Sequence, residues 1–182
     1  MVQYQVPGLF FPVRQPTPNT CWAAMFTMML SWRRQQSIGI SHAVAELGPQ
    51  YSDYFQHDQG LPISANRELA RAAGMRAEQL MNLTAEGWAG LLQRHGLLWT
   101  SYGWQEFNER GEEVRAGRHI VILYGIRGDE SADGTTVYYA DPADGARHEM
   151  SFGSFVQRHE TGFTMRRLTR ADEAGFSQIL HY

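Results

Sequence analysis

Residues 15–34 read Gln15-Pro16-Thr17-Pro18-Asn19-Thr20 and then CWAAMFTMMLSWRR from Cys21 to Arg34. Pro16 and Pro18 hold the chain out of helix, and Asn19 and Thr20 both carry side chains suited to capping one. The run that follows is apolar nearly all round, which is the pattern of a central buried helix. Its terminal pair Arg33-Arg34 suits the negative end of the helix dipole. Cys21 therefore stands where an extended segment meets a helix N-terminus. Free backbone N–H groups and the dipole favour an anion there and lower a thiol toward its thiolate. Cys21 is the one cysteine of the chain, so there is neither an internal disulfide nor a multi-cysteine metal site. A small buried cysteine filling a core gap explains the position equally well.

Outward from this stretch the chain divides into two unlike halves. Upstream, Val2 to Val6 alternates as a short strand. Downstream, Ser41 to Leu47 reads as a short helix. Ser64 to Ala73 reads as another, capped by Ser64 and stopped by Gly74, and Thr84 to Arg94 repeats the grammar with Thr84 and Gly96. QYSDYFQHDQG, residues 50–60, reads as a polar loop. The period then changes. Leu97 to Tyr102, Ile120 to Ile126, Thr136 to Ala140, Arg147 to Met150 and Phe163 to Leu168 read as strands, with a short helix over Phe152 to Arg158. Glu106 to Glu113 reads as a solvated loop. Helices first and an antiparallel sheet afterwards make an α+β arrangement, in one domain over residues 1–182 with no repeat or Gly/Ser-rich linker.

Two features bear on Cys21. Gln15 lies six residues upstream, and its amide beside the Cys21 N–H would give the two donors of an oxyanion hole. His119 opens the strand HIVILYGI, and Asp141 closes TVYYAD. If the hairpin turn is centred near residue 130, these two stand opposite each other on one face, so the carboxylate can orient the imidazole. Asp144, in the turn after Pro142, competes for that role. Cys, His and Asp are what a thiol nucleophile, its base and the base's orienter require.

Taken together, Gln15, Cys21-Trp22-Ala23-Ala24 opening a helix, His119 starting an apolar strand and Asp141-Pro142 ending the next resemble the papain-like cysteine proteases. Leu98-Trp99, the strand after Gly117-Arg118 and the glycine turn after Asp141-Pro142 look like the compact bacterial branch: double-glycine leader peptidases and small effector proteases. The chain departs from plant-type papains in having Thr20 before Cys21 and an aspartate as third member. The resemblance implies a papain-like α+β fold, with a nucleophile helix packed on a C-terminal sheet. It implies a cysteine peptidase with Cys21 as nucleophile, His119 as base, Asp141 as its orienter and Gln15 as oxyanion donor, working through a thioester without cofactor or metal. Deamidation or transglutaminase-type transfer shares that acyl-enzyme. A non-catalytic binding domain on the same scaffold is the alternative from another class.

Composition narrows the rest. Hydrophobic residues are 43% and charged residues 19% of 182, as in a folded globular domain. The apolar runs are far shorter than the roughly twenty residues of a membrane helix, and a net charge of −3 gives no case for nucleic acid. The remaining histidines, His42, His57, His95, His148, His159 and His181, show no metal-ligand spacing. Trp99, Tyr102 and Trp104 read either as core or as cleft lining. All 16 basic residues are arginine, which fits a GC-rich genome or a protein that gains from offering no lysine to ubiquitin. The N-terminus lacks a secretory signal pattern. The expected setting is a bacterial effector or toxin, secreted or delivered into a target cell by a signal-peptide-independent route, and otherwise cytoplasmic. Its expected partners are a protein or peptide substrate and a cognate inhibitor or immunity protein.

Overall fold

The computed structural model of the chain describes residues 1–169 and 177–182. Its elements run β1 (Val2–Gln5), α1 (Cys21–Arg34), α2 (Ile40–Leu47), α3 (Pro49–Gln56), α4 (Asn66–Ala72), β2 (Arg76–Ala77), α5 (Ala85–His95), β3 (Leu98–Phe107), β4 (Glu113–Gly128), β5 (Thr135–Asp141), β6 (Ala146–Ser151), α6 (Phe152–Thr169) and β7 (Ile179–His181). The strands form one antiparallel sheet in the order β2-β7-β3-β4-β5-β6. β1 lies along the lower part of β4, pairing Gln5 with Gly125 where β3 has ended at Leu98 opposite Leu123. Helices precede and cover the sheet, so the class is α+β.

Helix α1 is the centre of the packing. Every residue from Trp22 to Ser31 is buried, as the apolar run from Cys21 requires. Its polar members are satisfied locally: Thr27 Oγ1 donates to the Ala23 carbonyl, and Ser31 Oγ accepts from Ile38 N–H. Trp22 sends its indole N–H to the Gln59 carbonyl. α5 is capped as its sequence indicates, Thr84 accepting from Gly87 N–H.

Several expectations need correction. Ser64 does not cap a helix. It lies inside a 3-10 turn, Ile63–Ala65, and α4 begins only at Asn66, with Ala65 at the cap. The stretch read as a polar loop contains all of α3 but Pro49, and the single buried residue of that helix, Tyr51, leaves almost no apolar period to read. Glu106 to Glu113 is a solvated turn from Asn108 to Glu112, as read, but its ends, Glu106-Phe107 and Glu113, already belong to strands. β3 and β4 continue as a hairpin closed at Asn108, whose side chain accepts from Arg110 and Glu112 N–H.

Phe163 to Leu168 is helix, the continuation of α6. The buried residues of that helix, Phe152, Phe155, His159 and Gly162, recur at helical spacing. Gly162 brings the helix onto β3: a Cβ there would lie 2.9 Å from Gly103 N. The final strand is β7, a short, wholly buried segment between β2 and β3. Being so short, it shows no alternation from which it could be read.

Gly96 joins α5 to β3 with φ +76°, and a Cβ there would sit 1.9 Å from the Trp32 ring. That ring is tied by its N–H to the Pro7 carbonyl and cannot swing away freely. Gly96→Ala is therefore expected to destabilise the protein by about 3 kcal/mol, the combined scale of an over-packed contact and a positive φ. The midpoint of urea unfolding measures it.

Candidate active site

Cys21 is the first residue of α1, partly buried. Thr20 occupies the cap position, yet its side chain does not cap. It is turned back on Thr17, accepting from Thr17 N–H and donating to the Thr17 carbonyl. Among the described residues no side chain caps the first turn of α1; Ala23 N–H goes to the Thr20 carbonyl, and the N–H groups of Cys21 and Trp22 can serve an anion. Burial pushes the Cys21 thiol above its ordinary value; the N–H groups of Trp22 and Cys21 pull it down, and the Asp141 charge adds to the rise. The lowering expected from the helix terminus is thus outweighed by burial.

The loop before Cys21 is clamped from several sides. Asn19 donates from its backbone and its amide to Asp58, which takes φ +51° at the end of α3. Gln15 N–H donates to the Pro142 carbonyl at 2.7 Å, tying this loop to the turn that carries Asp141. Gly145, at φ +68°, lets that turn lie against Arg14: a Cβ there would be 2.7 Å from Arg14 N. The Gln15 amide lies in this loop, but both of its hydrogens go to the carbonyls of Thr17 and Pro18, each at 2.9 Å. One must be exchanged before Gln15 can donate to a ligand oxygen.

His119 and Asp141 are brought together. His119 Nε2 lies 2.6 Å from Asp141 Oδ1. A carboxylate only accepts, so Nε2 carries the proton and Nδ1 presents the lone pair. The same Oδ1 accepts from Ala143 N–H at 2.8 Å. Burial alone would raise the Asp141 carboxyl, but the bonds from His119 and Ala143 and the nearby His119 and His148 hold it below the usual range.

The pairing reaches this result by a different register from the one the sequence suggested. β4 carries a bulge between Leu123 and Gly125, and its last pair with β5 is Ile122 with Ala140. Asp141 thus stands level with Val121, and His119 lies two residues further along the same face. A shift of two keeps the face; a shift of one would have lost it. Asp144 is engaged elsewhere, with His148 Nε2 at 2.8 Å.

Cys21 and His119 line one cavity of about 180 Å³ together with Leu61, Asn66, Ser101 and Arg118. His119 also borders a cleft of about 630 Å³ walled by Tyr102, Trp104, Arg115 and Arg158. Of the three candidate aromatics, Trp99 is fully buried core, whereas Tyr102 and Trp104 line this cleft. The Tyr102 and His119 rings meet edge to face, with centroids 5.6 Å apart. Its hydroxyl is pushed up to about 12 by burial and by the Asp141 charge. Ser101 and Asn66 carry no motif, and only the folded sheet and α4 bring them beside Cys21. Among the described residues one group of three side chains could hold a metal ion, Glu78, His95 and His181, and it does not include Cys21.

Comparison with known proteins gives one finding. The sequence model of a family described as papain-like cysteine protease AvrRpt2 matches residues 1–160. No curated protein matches the chain.

The buried thiol and the Nδ1 lone pair of His119 make a prediction about proton transfer. If His119 takes the Cys21 proton, iodoacetamide alkylates the wild-type thiol well below the ordinary thiol range. In His119→Ala the thiol keeps only its burial, which raises it, so alkylation moves to pH above that range. Mass-spectrometric alkylation rates across pH measure the displacement. Coincident profiles would mean that the imidazole does not serve the thiol.

Proposed function

The chain belongs to the papain-like cysteine protease AvrRpt2 family and is a cysteine-type peptidase, and from that premise we propose that Cys21, His119, Asp141 and Gln15 carry out its peptide hydrolysis. Cys21 Sγ attacks the scissile carbonyl while His119 Nδ1 takes the thiol proton. The oxyanion is held by the Cys21 N–H and by the Gln15 amide, which gives up one of its two loop carbonyls. His119 then protonates the leaving amine, and water, activated by the same ring, releases the acid from the thioester. The observation that carries this reading is the 2.6 Å contact of Asp141 Oδ1 with His119 Nε2. It fixes the tautomer in which the other nitrogen is the base.

Delivery into another cell, with a protein there as the target, is part of the same proposal. A composition in which all 16 basic residues are arginine supports it, since the domain offers ubiquitin no lysine. Mass spectrometry of candidate target-cell lysates treated with wild-type and Cys21→Ala protein tests both the target and the reaction. New peptide termini dependent on Cys21 are the expected result; deamidated glutamine or new isopeptide links would replace hydrolysis with another acyl transfer.

Cys21→Ala is expected to abolish cleavage with the circular dichroism spectrum unchanged. Asp141→Asn should retain part of the activity, because an amide oxygen still accepts from Nε2, and Asp141→Ala should retain less. An active, folded Cys21→Ala protein would remove the mechanism. Damage from Asp144→Ala with a silent Asp141→Ala would move the orienting role to Asp144.

Gln15→Ala separates the oxyanion from the nucleophile. Loss of one oxyanion donor lowers turnover on the order of a hundredfold, while the thiol alkylation rate should stay near wild type. A parallel fall of both would mean that Gln15 supports the loop through Thr17 and Pro18 and does no more.

A further inference from the structure

His181 closes β7, fully buried, and both of its ring nitrogens meet oxygen acceptors. Nδ1 lies 3.0 Å from the main-chain oxygen of Tyr182, and Nε2 lies 2.7 Å from Glu78 Oε1. A neutral imidazole carries one N–H and cannot serve two acceptors. A second ring proton, or a cation between Nε2 and the Glu78 carboxylate, lets both acceptors be served. The neighbouring group favours the cation. His95, the last residue of α5, stacks on His181 with ring centroids 3.8 Å apart. One ligand atom from each of Glu78, His95 and His181 lies within 4.8 Å of the others. A proton has no use for a second imidazole donor, whereas a metal ion does.

We propose that Glu78, His95 and His181 bind a divalent cation of the zinc type, which fastens the end of α5 to the β2–β7 side of the sheet. Two imidazoles and a carboxylate are a borderline donor set suited to zinc, and three protein ligands leave a fourth position for water. The Tyr182 oxygen accepting from Nδ1–H fixes the tautomer that offers Nε2 to the ion, the usual supporting contact of a ligating histidine. Glu78 is held in place from both sides of its peptide, its N–H donating to the Ile179 carbonyl and its carbonyl accepting from Ser177 Oγ. Tetrahedral zinc–nitrogen bonds of about 2.0 Å place ligand atoms about 3.3 Å apart. Closing the site therefore takes rotation of His95 and Glu78, both only partly buried. None of the three residues lines the cavities that Cys21 and His119 border.

The test uses the full chain carrying Cys21→Ala, so that the thiol cannot compete for metal. Zinc titrated by calorimetry is expected to bind one ion per chain and to raise the melting temperature by several degrees. Cobalt in its place should give the visible absorption of a four-coordinate site. His95→Ala and Glu78→Gln, each added to Cys21→Ala, should weaken zinc at least tenfold and remove the cobalt band, with circular dichroism showing the fold retained. These partly exposed positions are chosen because His181, fully buried, risks unfolding the chain. No zinc binding to the Cys21→Ala protein, or binding that neither substitution weakens, would overturn the proposal.

Discussion

The burial of helix α1 is the constraint on which the site depends. Ten consecutive residues after Cys21 are buried, and Trp22, Met25, Phe26, Met28 and Met29 each contribute about 2 kcal/mol by leaving water. A rotation or slip of this helix would expose several of them at once, so the thiol at its mouth is held in one place. The sheet is held from the same core, because Ile122, Leu123 and Ile126 of β4 share the buried cluster with α1. Cys21 on the helix and His119 on β4 are therefore positioned by one packing interaction.

What the core does not fix, hydrogen bonds in the loops do. The segment before Cys21 carries little apolar weight. It is fastened by Asn19 to Asp58, by Thr20 to Thr17 and by Gln15 N–H to the Pro142 carbonyl. The last of these joins the loop bearing Gln15 to the turn bearing Asp141, the partner of His119. Gly145 makes that junction possible, since a side chain there would push Arg14 away. The geometry around Cys21 and the geometry around His119 are thus coupled through a few backbone contacts.

The electrostatics are a balance in which burial and specific contacts oppose each other. At Asp141 the contacts win, and the carboxyl is held low enough to stay charged beside His119. At Cys21 burial wins, and the thiol is pushed up. A low-lying carboxylate, an oriented ring and a reluctant thiol suit a site that creates its charge when a proton moves to the imidazole.

The sequence by itself determined the helix that opens at Cys21 and the α+β order, and it singled out the four candidate site residues, because each of these readings rests on local chemistry. An all-round apolar run can only be buried, an Asp-Pro can end a strand, and a Thr can cap α5 from within four residues. Local chemistry failed where identity is set by contacts from afar. α3 carries one buried residue and so no period. The second half of α6 is helix because Gly162 lets it lie on β3, and β7 is a strand because β2 and β3 accept it between them. The His119–Asp141 contact shows the division most plainly: parity placed both on one face, whereas a bulge in β4 decided the register. The grouping of Glu78, His95 and His181 was invisible for the same reason. Residues so far apart in the chain become neighbours only when the sheet closes, and no spacing rule records that.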